Sequence, residues 1–341
     1  MAFSEVTTAI PEFRTMRFPR LFRRFNAQQT ANGMSFSIAL FALMFLYLES
    51  SPTPAGADVA RRVTSKHAFV IVQAKPEAAA ATNAQPQQTT EVVQADLTPE
   101  QKHERDLLLK MQLIEKGLEF LTKTPDYTAQ FVKQELVNGE LLDEQEMEMK
   151  VRHAPFSIYL KWTTGEVGRE VLYVDGANDG RMTAHGGGWK ARLPAVALDP
   201  GSGLAMAESR YPVTKAGLHE LAKLMLRVHQ EDLQLKRFSK CEKLADQTFD
   251  GRPCHAFLME YKDQKTSDQY RKSISLIDKE WSIPIYTRNF GWLNGEVPAD
   301  PEQHDAATLI EFYSYANVKF RPNLIAADFD HTNEEYRFKR Q

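Results

Sequence analysis

Cysteine is nearly absent from this chain of 341 residues, which holds only Cys241 and Cys254. The two are separated by twelve residues and so lack the C-x-x-C spacing of a redox pair. A surplus of charge of one sign is missing too: 42 basic residues stand against 45 acidic ones. The first 57 residues hold five Arg and three Glu, leaving 37 basic and 42 acidic residues, or −5, for the remainder. Without a concentrated basic face, nucleic acid is excluded as the main partner.

The signatures of a chemical centre are also absent. His219-Glu220 opens like H-E-x-x-H, but the position of the second imidazole is Lys223, and His229 lies too far along to share a metal with His219. Both histidines read as solvated or capping residues. DPGSGLA, residues 199–205, places a Ser between glycines without the G-x-S-x-G pattern of a nucleophile elbow. The acid pairs Asp143-Glu144 and Glu334-Glu335 sit in polar, turn-like surroundings. The glycine-rich stretch DGANDGRMTAHGGGWK, residues 175–190, fails as an EF-hand, with Ala177 at position three and Gly186 at position twelve. It fails as a phosphate loop because GGGWKARLP runs toward a proline with no helical pattern behind it. What remains is a pair of turns, the first at Asn178-Asp179-Gly180, with Trp189 placed to cover the end of whatever groove the strands form. No enzyme class, cofactor or metal is indicated.

What is present begins with an address. Arg14, Arg17, Arg20, Arg23 and Arg24 precede MSFSIALFALMFLYL, residues 34–48, an uncharged apolar run shorter than the roughly 20 residues of a spanning helix. Ala55-Gly56-Ala57 fits the A-x-A pattern of signal cleavage, which would start the mature chain at Asp58. Residues 1–57 are therefore expected to be a signal peptide or a retained signal anchor, with Met16 a second candidate start. In either case the bulk of the protein is exported to the periplasm, soluble or tethered to the inner membrane through the uncleaved segment. Residues 58–97, rich in Ala, Gln, Thr and Pro, read as a flexible tether of about 35 Å root-mean-square span. In an oxidising compartment, the hairpin-like context CEKLADQTFDGRPC favours a Cys241–Cys254 disulfide over two free thiols.

Residues 98–341 read as one folded domain. Thr98-Pro99-Glu100-Gln101 is a capping-box start, followed by Leu107, Leu108, Met111, Ile114, Leu118 and Leu121 at helical spacing. Strands follow: residues 127–152 form a hairpin turning at Asn138-Gly139, FSIYLKW alternates cleanly, and GREVLYVDG and RMTAH continue the series. Short turns between consecutive strands imply an antiparallel meander. A helical insertion is expected within 191–235, with Thr214 capping a helix that carries Leu218, Leu221, Leu224, Met225 and Val228 on one face. Strands then resume in HAFLMEY, KSISLID, IPIYTRNF and TLIEFYSYANVKF.

The order of helix, YTAQFVKQ, hairpin, PFSIYLKW and GREVLYVDG, from Leu107 to Trp189, resembles the LolA-like lipoprotein-carrier half-barrels. RYPVTKAGL (210–218), the DGRPC turn, SLID and the DFD…N-x-x-Y tail are similar to an uncharacterised family of exported bacterial proteins known as a domain of unknown function, across most of 100–338. The resemblance implies an α+β fold, a curved antiparallel sheet wrapped over two or more helices. It also implies an apolar groove that holds a lipid, a lipoprotein acyl chain or a similar hydrophobe without covalent chemistry. The positions it marks are Phe131, Phe156, Ile158, Leu160, Trp162 and Tyr173. The surplus of large apolar side chains elsewhere in the strands adds Phe257, Met259 and Phe312, with Trp189 at the end of the groove. The expected partner is a lipid or acylated protein. The alternative is a structural or sensory envelope module with a filled core, acting through a protein partner in the envelope.

Overall fold

The computed structural model describes residues 97–338. The expected signal or anchor over 1–57, the cleavage site after Ala57 and all but the end of the 58–97 tether lie outside the described residues.

Helix α1 spans Pro99–Thr122. The capping box forms as read: Thr98 Oγ1 accepts from the Gln101 backbone N–H at 3.3 Å, and Gln101 Oε1 accepts from the Thr98 N–H at 2.9 Å. The strands then run β1 (Asp126–Val137), β2 (Glu140–Leu141), β3 (Gln145–His153), β4 (Phe156–Trp162), β5 (Glu170–Val174), β6 (Met182–His185) and β7 (Val196–Leu198). Helix α2, Leu218–Leu235, separates them from β8 (Phe238–Lys243), β9 (Gln247–Phe249), β10 (Arg252–Tyr261), β11 (Lys272–Asp278) and β12 (Pro284–Phe290). Helix α3 (Pro301–Thr308) leads into β13 (Leu309–Phe320).

All strand pairs are antiparallel, in the order β7-β6-β5-β4-β3-β1-β13-β12-β11-β10-β8, with β2 on β1 and β9 on β10. The fold class read from the sequence, a curved antiparallel half-barrel over helices, is the one formed. Asn138 and Gly139 both take positive φ, 52° and 88°, as a two-residue hairpin turn requires. Asn178, Asp179 and Gly180 do the same between β5 and β6, at 51°, 53° and 72°. The glycine-rich stretch is thus a turn. Further along it, Gly187 lets the chain pass against the 166–169 loop, since a Cβ there would lie 2.1 Å from the Glu166 carbonyl oxygen.

Register decides which side chains share the inner face. Phe131 lies opposite Met147, and Met147 opposite Trp162; Ala129, Met149, Leu160 and Val171 form the next row, and Tyr127, Val151, Ile158 and Tyr173 the third. The helices cover the other half of this face. Ile114 of α1 and Ala222 and Met225 of α2 pack on Phe257 and Ile277, while Leu107 and Met111 pack on Cys241, Met259 and Tyr261. Helix α1 approaches the loop before β12 so closely that a Cβ on Gly117 would stand 2.2 Å from the Ser282 carbonyl oxygen. Gly117→Ala is therefore expected to lower stability by about 2 kcal/mol, the overpacking cost outweighing the gain in helix propensity. A thermal melt checks this, and an unchanged or raised Tm would refute it.

Two expectations are corrected. Helix α2 begins at Leu218 and not at Thr214, which lies in the short 3₁₀ turn Val213–Lys215. Gly217, at φ 101°, takes the cap position, and the Leu218 N–H donates to Tyr127 Oη at 2.9 Å. A tertiary acceptor replaces the side-chain cap. The Cys241–Cys254 disulfide is not formed; both thiols are free and buried. Cys241 pairs with Met259, five residues beyond Cys254 along β10. At about 3.4 Å per residue that is roughly 17 Å, whereas a disulfide needs Cα atoms within about 7 Å. The turn at Asp250-Gly251 does form, but it joins β9 to β10 and so leaves Cys241 on the far side of β9.

Part of the outer face is covered as well. Phe329, Tyr336 and Phe338 of the C-terminal tail pack on Tyr159 and Leu172, with the Tyr159 and Tyr336 rings stacked at 4.0 Å. The Arg337 N–H donates to Glu170 Oε2 at 2.7 Å. At the other end, Phe249 meets the edge of Tyr286, and Asp250 accepts from the Asn317 N–H where β13 bulges.

Candidate functional site

The part of the inner face left bare by the helices forms the floor of a cavity of about 500 Å³. Phe131, Met147, Leu160, Trp162, Val171 and Met182 supply the floor, with Tyr313 and Tyr315 of β13 beside them. The roof is the face of α2 bearing Leu221 and Leu224, together with residues 199–216, a strap crossing from β7 to α2 that contributes Pro200, Ala205, Tyr211, Pro212 and Val213.

Polar contacts hold the strap down. Lys133 Nζ donates to Glu135 at 2.8 Å, to the Glu208 carbonyl at 2.9 Å and to Ser209 Oγ at 2.7 Å. Arg210 Nε donates to Glu311 at 3.0 Å and its Nη1 to the Leu136 carbonyl at 3.1 Å. Tyr313 Oη donates to Glu135. Burial, then the Glu311 and Glu135 carboxylates, push the Tyr313 hydroxyl far above its ordinary range, so it remains a donor. Arg169 lies over the Trp162 ring, 4.7 Å from its centroid, and pairs with Glu208. Burial opposes ionisation of Glu208, but Arg169 outweighs it and holds the carboxyl below the usual range.

A second cavity of about 320 Å³ adjoins the first, and Lys215, Ala216, Glu220 and Lys223 line both. Its remaining lining includes Tyr127, His153, Phe156, Tyr173, Asp175 and His219. The two imidazoles stand 5.4 Å apart. His153 Nδ1 donates to the Thr124 carbonyl at 2.6 Å, and burial lowers the pKa of both rings, keeping them neutral at pH 7.

Of the ten positions marked from the sequence, Phe131, Leu160 and Trp162 line the large cavity and Phe156 and Tyr173 the smaller one. Ile158 lies between these two groups, fully buried in the core. The other four are corrected. Phe257 and Met259 share the inner face but are sealed beneath α1 and α2. Phe312 alternates to the outer face, where it packs on Tyr286 at 5.2 Å. Trp189 sits in the 3₁₀ segment Gly188–Arg192 and is 58% exposed, lining neither cavity. His229 is also corrected: it is buried between the helices and not solvated. Met147, Val171 and Met182 were missed, although the alternation in QEMEMKVR would have found the first. Among the described residues, no three His, Cys, Asp or Glu side chains converge as a metal site would require.

The fold is an open antiparallel sheet over helices, with a largely apolar cavity between the layers. The chain belongs to the family described as "Protein of unknown function (DUF1571)", whose model matches residues 124–338. No curated protein matches it. Similar solved structures include the lipoprotein LppX of Mycobacterium tuberculosis, at 12% identity over 65% of this chain and 99% of that one, with a TM-score of 0.38. The LolA superfamily protein NE2245 of Nitrosomonas europaea matches at 11% identity over 64% of this chain and 96% of that one, with a TM-score of 0.27. MucB of Pseudomonas aeruginosa, in its complex with MucA, matches at 13% identity over 65% of this chain, with a TM-score of 0.36. The chain spans 60% of the length of that MucB structure. These likenesses are of chain fold alone. Among the described residues, no helix is long and apolar enough to cross a membrane.

Proposed function

We propose that the protein is an exported binding protein of the cell envelope that shields one hydrophobe, a lipid or the acyl chain of a lipoprotein, in the cavity beneath the strap. The observation that carries this reading is the cavity itself: about 500 Å³ whose floor is aromatic, aliphatic and thioether side chains on the part of the sheet's inner face that the helices leave bare. Burial of apolar surface at about 25 cal/mol per Å² would drive binding, so a single chain covering a few hundred Å² gains several kcal/mol without any reaction step. The N-terminal address supports export, with the domain soluble or tethered to the inner membrane.

The test is uptake of 1-N-phenylnaphthylamine by delipidated, refolded full-length protein, read as fluorescence enhancement. Ala205→Trp puts an indole into the cavity from the half-buried strap and is expected to weaken uptake at least tenfold. Undiminished uptake by this variant, or none by the parent protein, would refute the reading.

A further inference from the structure

The charged residues around the large cavity do not balance. Lys133 and Arg169 face it from the sheet, but each is answered by acids, Lys133 by Glu135 and Arg169 by Glu166 and Glu208. The wall shared by the two cavities is different. Lys215 and Lys223 both reach the one carboxylate of Glu220, at 3.4 and 3.2 Å, and Arg227 stands one turn further along the same face of α2. Two lysines thus share one carboxylate where an apolar chamber opens into a polar one, and Arg227 adds a third positive charge on the large-cavity side, in a chain whose net charge beyond residue 57 is −5.

We propose that the ligand is an anionic single-chain amphiphile: its chain lies on the Met147–Trp162 floor, and its acidic head meets Lys215 and Lys223 at the shared wall, with Arg227 beside them on the large-cavity side. This rests on the reading of the large cavity as a hydrophobe site. The shape of the site fits such a molecule from end to end. Beyond the shared wall, Tyr173, Asp175 and the two neutral imidazoles offer hydrogen-bonding groups for hydroxyls on the head. At the opposite end, the buried Lys133–Glu135 pair is already satisfied by Ser209 and the Glu208 carbonyl and asks for no charge from the ligand. An uncharged head would leave the excess positive potential of the wall unanswered; a carboxylate or phosphate monoanion answers it with charge-assisted hydrogen bonds.

The experiment titrates full-length, delipidated protein with four ligands of the same sixteen-carbon chain, each kept monomeric: palmitate, lysophosphatidylglycerol, lysophosphatidylcholine and monopalmitoylglycerol. At least one of the two anions is expected to bind tenfold or more tighter than the neutral glyceride, with the advantage shrinking as salt is raised. The carboxylate and phosphate arms show which acidic head the wall prefers. The exposed pair Lys223→Glu and Arg227→Glu is expected to remove that advantage, the anions losing at least tenfold more affinity than monopalmitoylglycerol does. Equal affinity for all four ligands, or an anion preference that survives the double substitution, overturns the inference and leaves the cavity reading standing. Failure of all four to bind overturns both.

Discussion

Glu311→Ala is expected to lower the stability of the folded protein by about 3–5 kcal/mol, the cost of removing one partner from a buried ionic group. Glu311 is 2% exposed and accepts from Arg210 Nε at 3.0 Å, Tyr270 Oη at 3.0 Å and Asn289 Nδ2 at 2.7 Å. Alanine removes the shared acceptor of a guanidinium and two neutral donors in the interior, leaving Arg210 with the Leu136 carbonyl and each group with part of its desolvation cost uncompensated. Because Arg210 belongs to the strap and Glu311 to β13, the same change unfastens the roof of the cavity. Glu311→Gln retains an acceptor and should cost less than half as much. Urea melts decide the matter: the midpoint should fall with the slope unchanged, and a loss below about 1 kcal/mol for alanine would refute the assignment.

Stability is also expected to fall as the pH drops from about 6.5 to about 4, because of a buried basic pair between the helices. Lys110 is fully buried and His229 is 4% exposed; neither Lys110 Nζ nor either His229 ring nitrogen has a hydrogen-bond partner among the described residues. Burial pushes His229 down to about 4, the Lys110 charge adding to the effect and Asp232, 3.7 Å away, opposing it. Burial likewise lowers Lys110 to about 8, against the pull of Cys241 and Asp232. The sign follows from proton counting. Between pH 4 and 6.5 the unfolded chain carries a proton on His229 that the folded one rejects, so acidification draws the equilibrium toward unfolding, by about 3 kcal/mol in all. Lys110 acts the same way in the alkaline range, stability rising from about pH 8 to 10.5. His229→Leu should flatten the acid limb, and Lys110→Met should raise stability at pH 7 by about 2 kcal/mol, since a buried unpaired charge gives way to an apolar chain of similar length. Denaturant melts at pH 7, 5 and 4 test both; an acid limb that persists in His229→Leu would assign it to other groups.

Much of the architecture was legible because its signals are local. The alternation in FSIYLKW, the Asn-Gly and Asn-Asp-Gly turns and the capping box at Thr98 each involve residues a few positions apart, and each appears where its local chemistry places it. The errors share a different cause. Whether Phe257 faces an open cavity or a helix depends on where α1 and α2 end up, which no short window of sequence encodes. Phe312 and Tyr313 are neighbours of similar character, yet register puts Tyr313 at the cavity and Phe312 behind the sheet. The Cys241–Cys254 spacing suits a hairpin, and only the pairing of β8 with the far end of β10 separates the thiols. The strap offered no periodicity at all: residues 199–216 read as loop, and their role as a roof follows from Lys133 and Glu135 in β1 and Glu311 in β13.

The pairing of β1 with β13 carries a consequence for how the molecule assembles. Strands β3 to β7 meet their neighbours through short connections, and so do β8 to β12, so each half can zip up locally. The two halves of the sheet are joined along the β1–β13 ladder, from Tyr127 opposite Phe320 to Glu135 opposite Glu311, partners about 180 residues apart in the chain. Such a distant closure is entropically demanding and late. The same strands also supply the middle of the cavity floor, so the binding chamber comes into being in the step that completes the sheet. An intermediate with one half formed would display the apolar rows of β3 and β4 and have no chamber in which to retain a ligand.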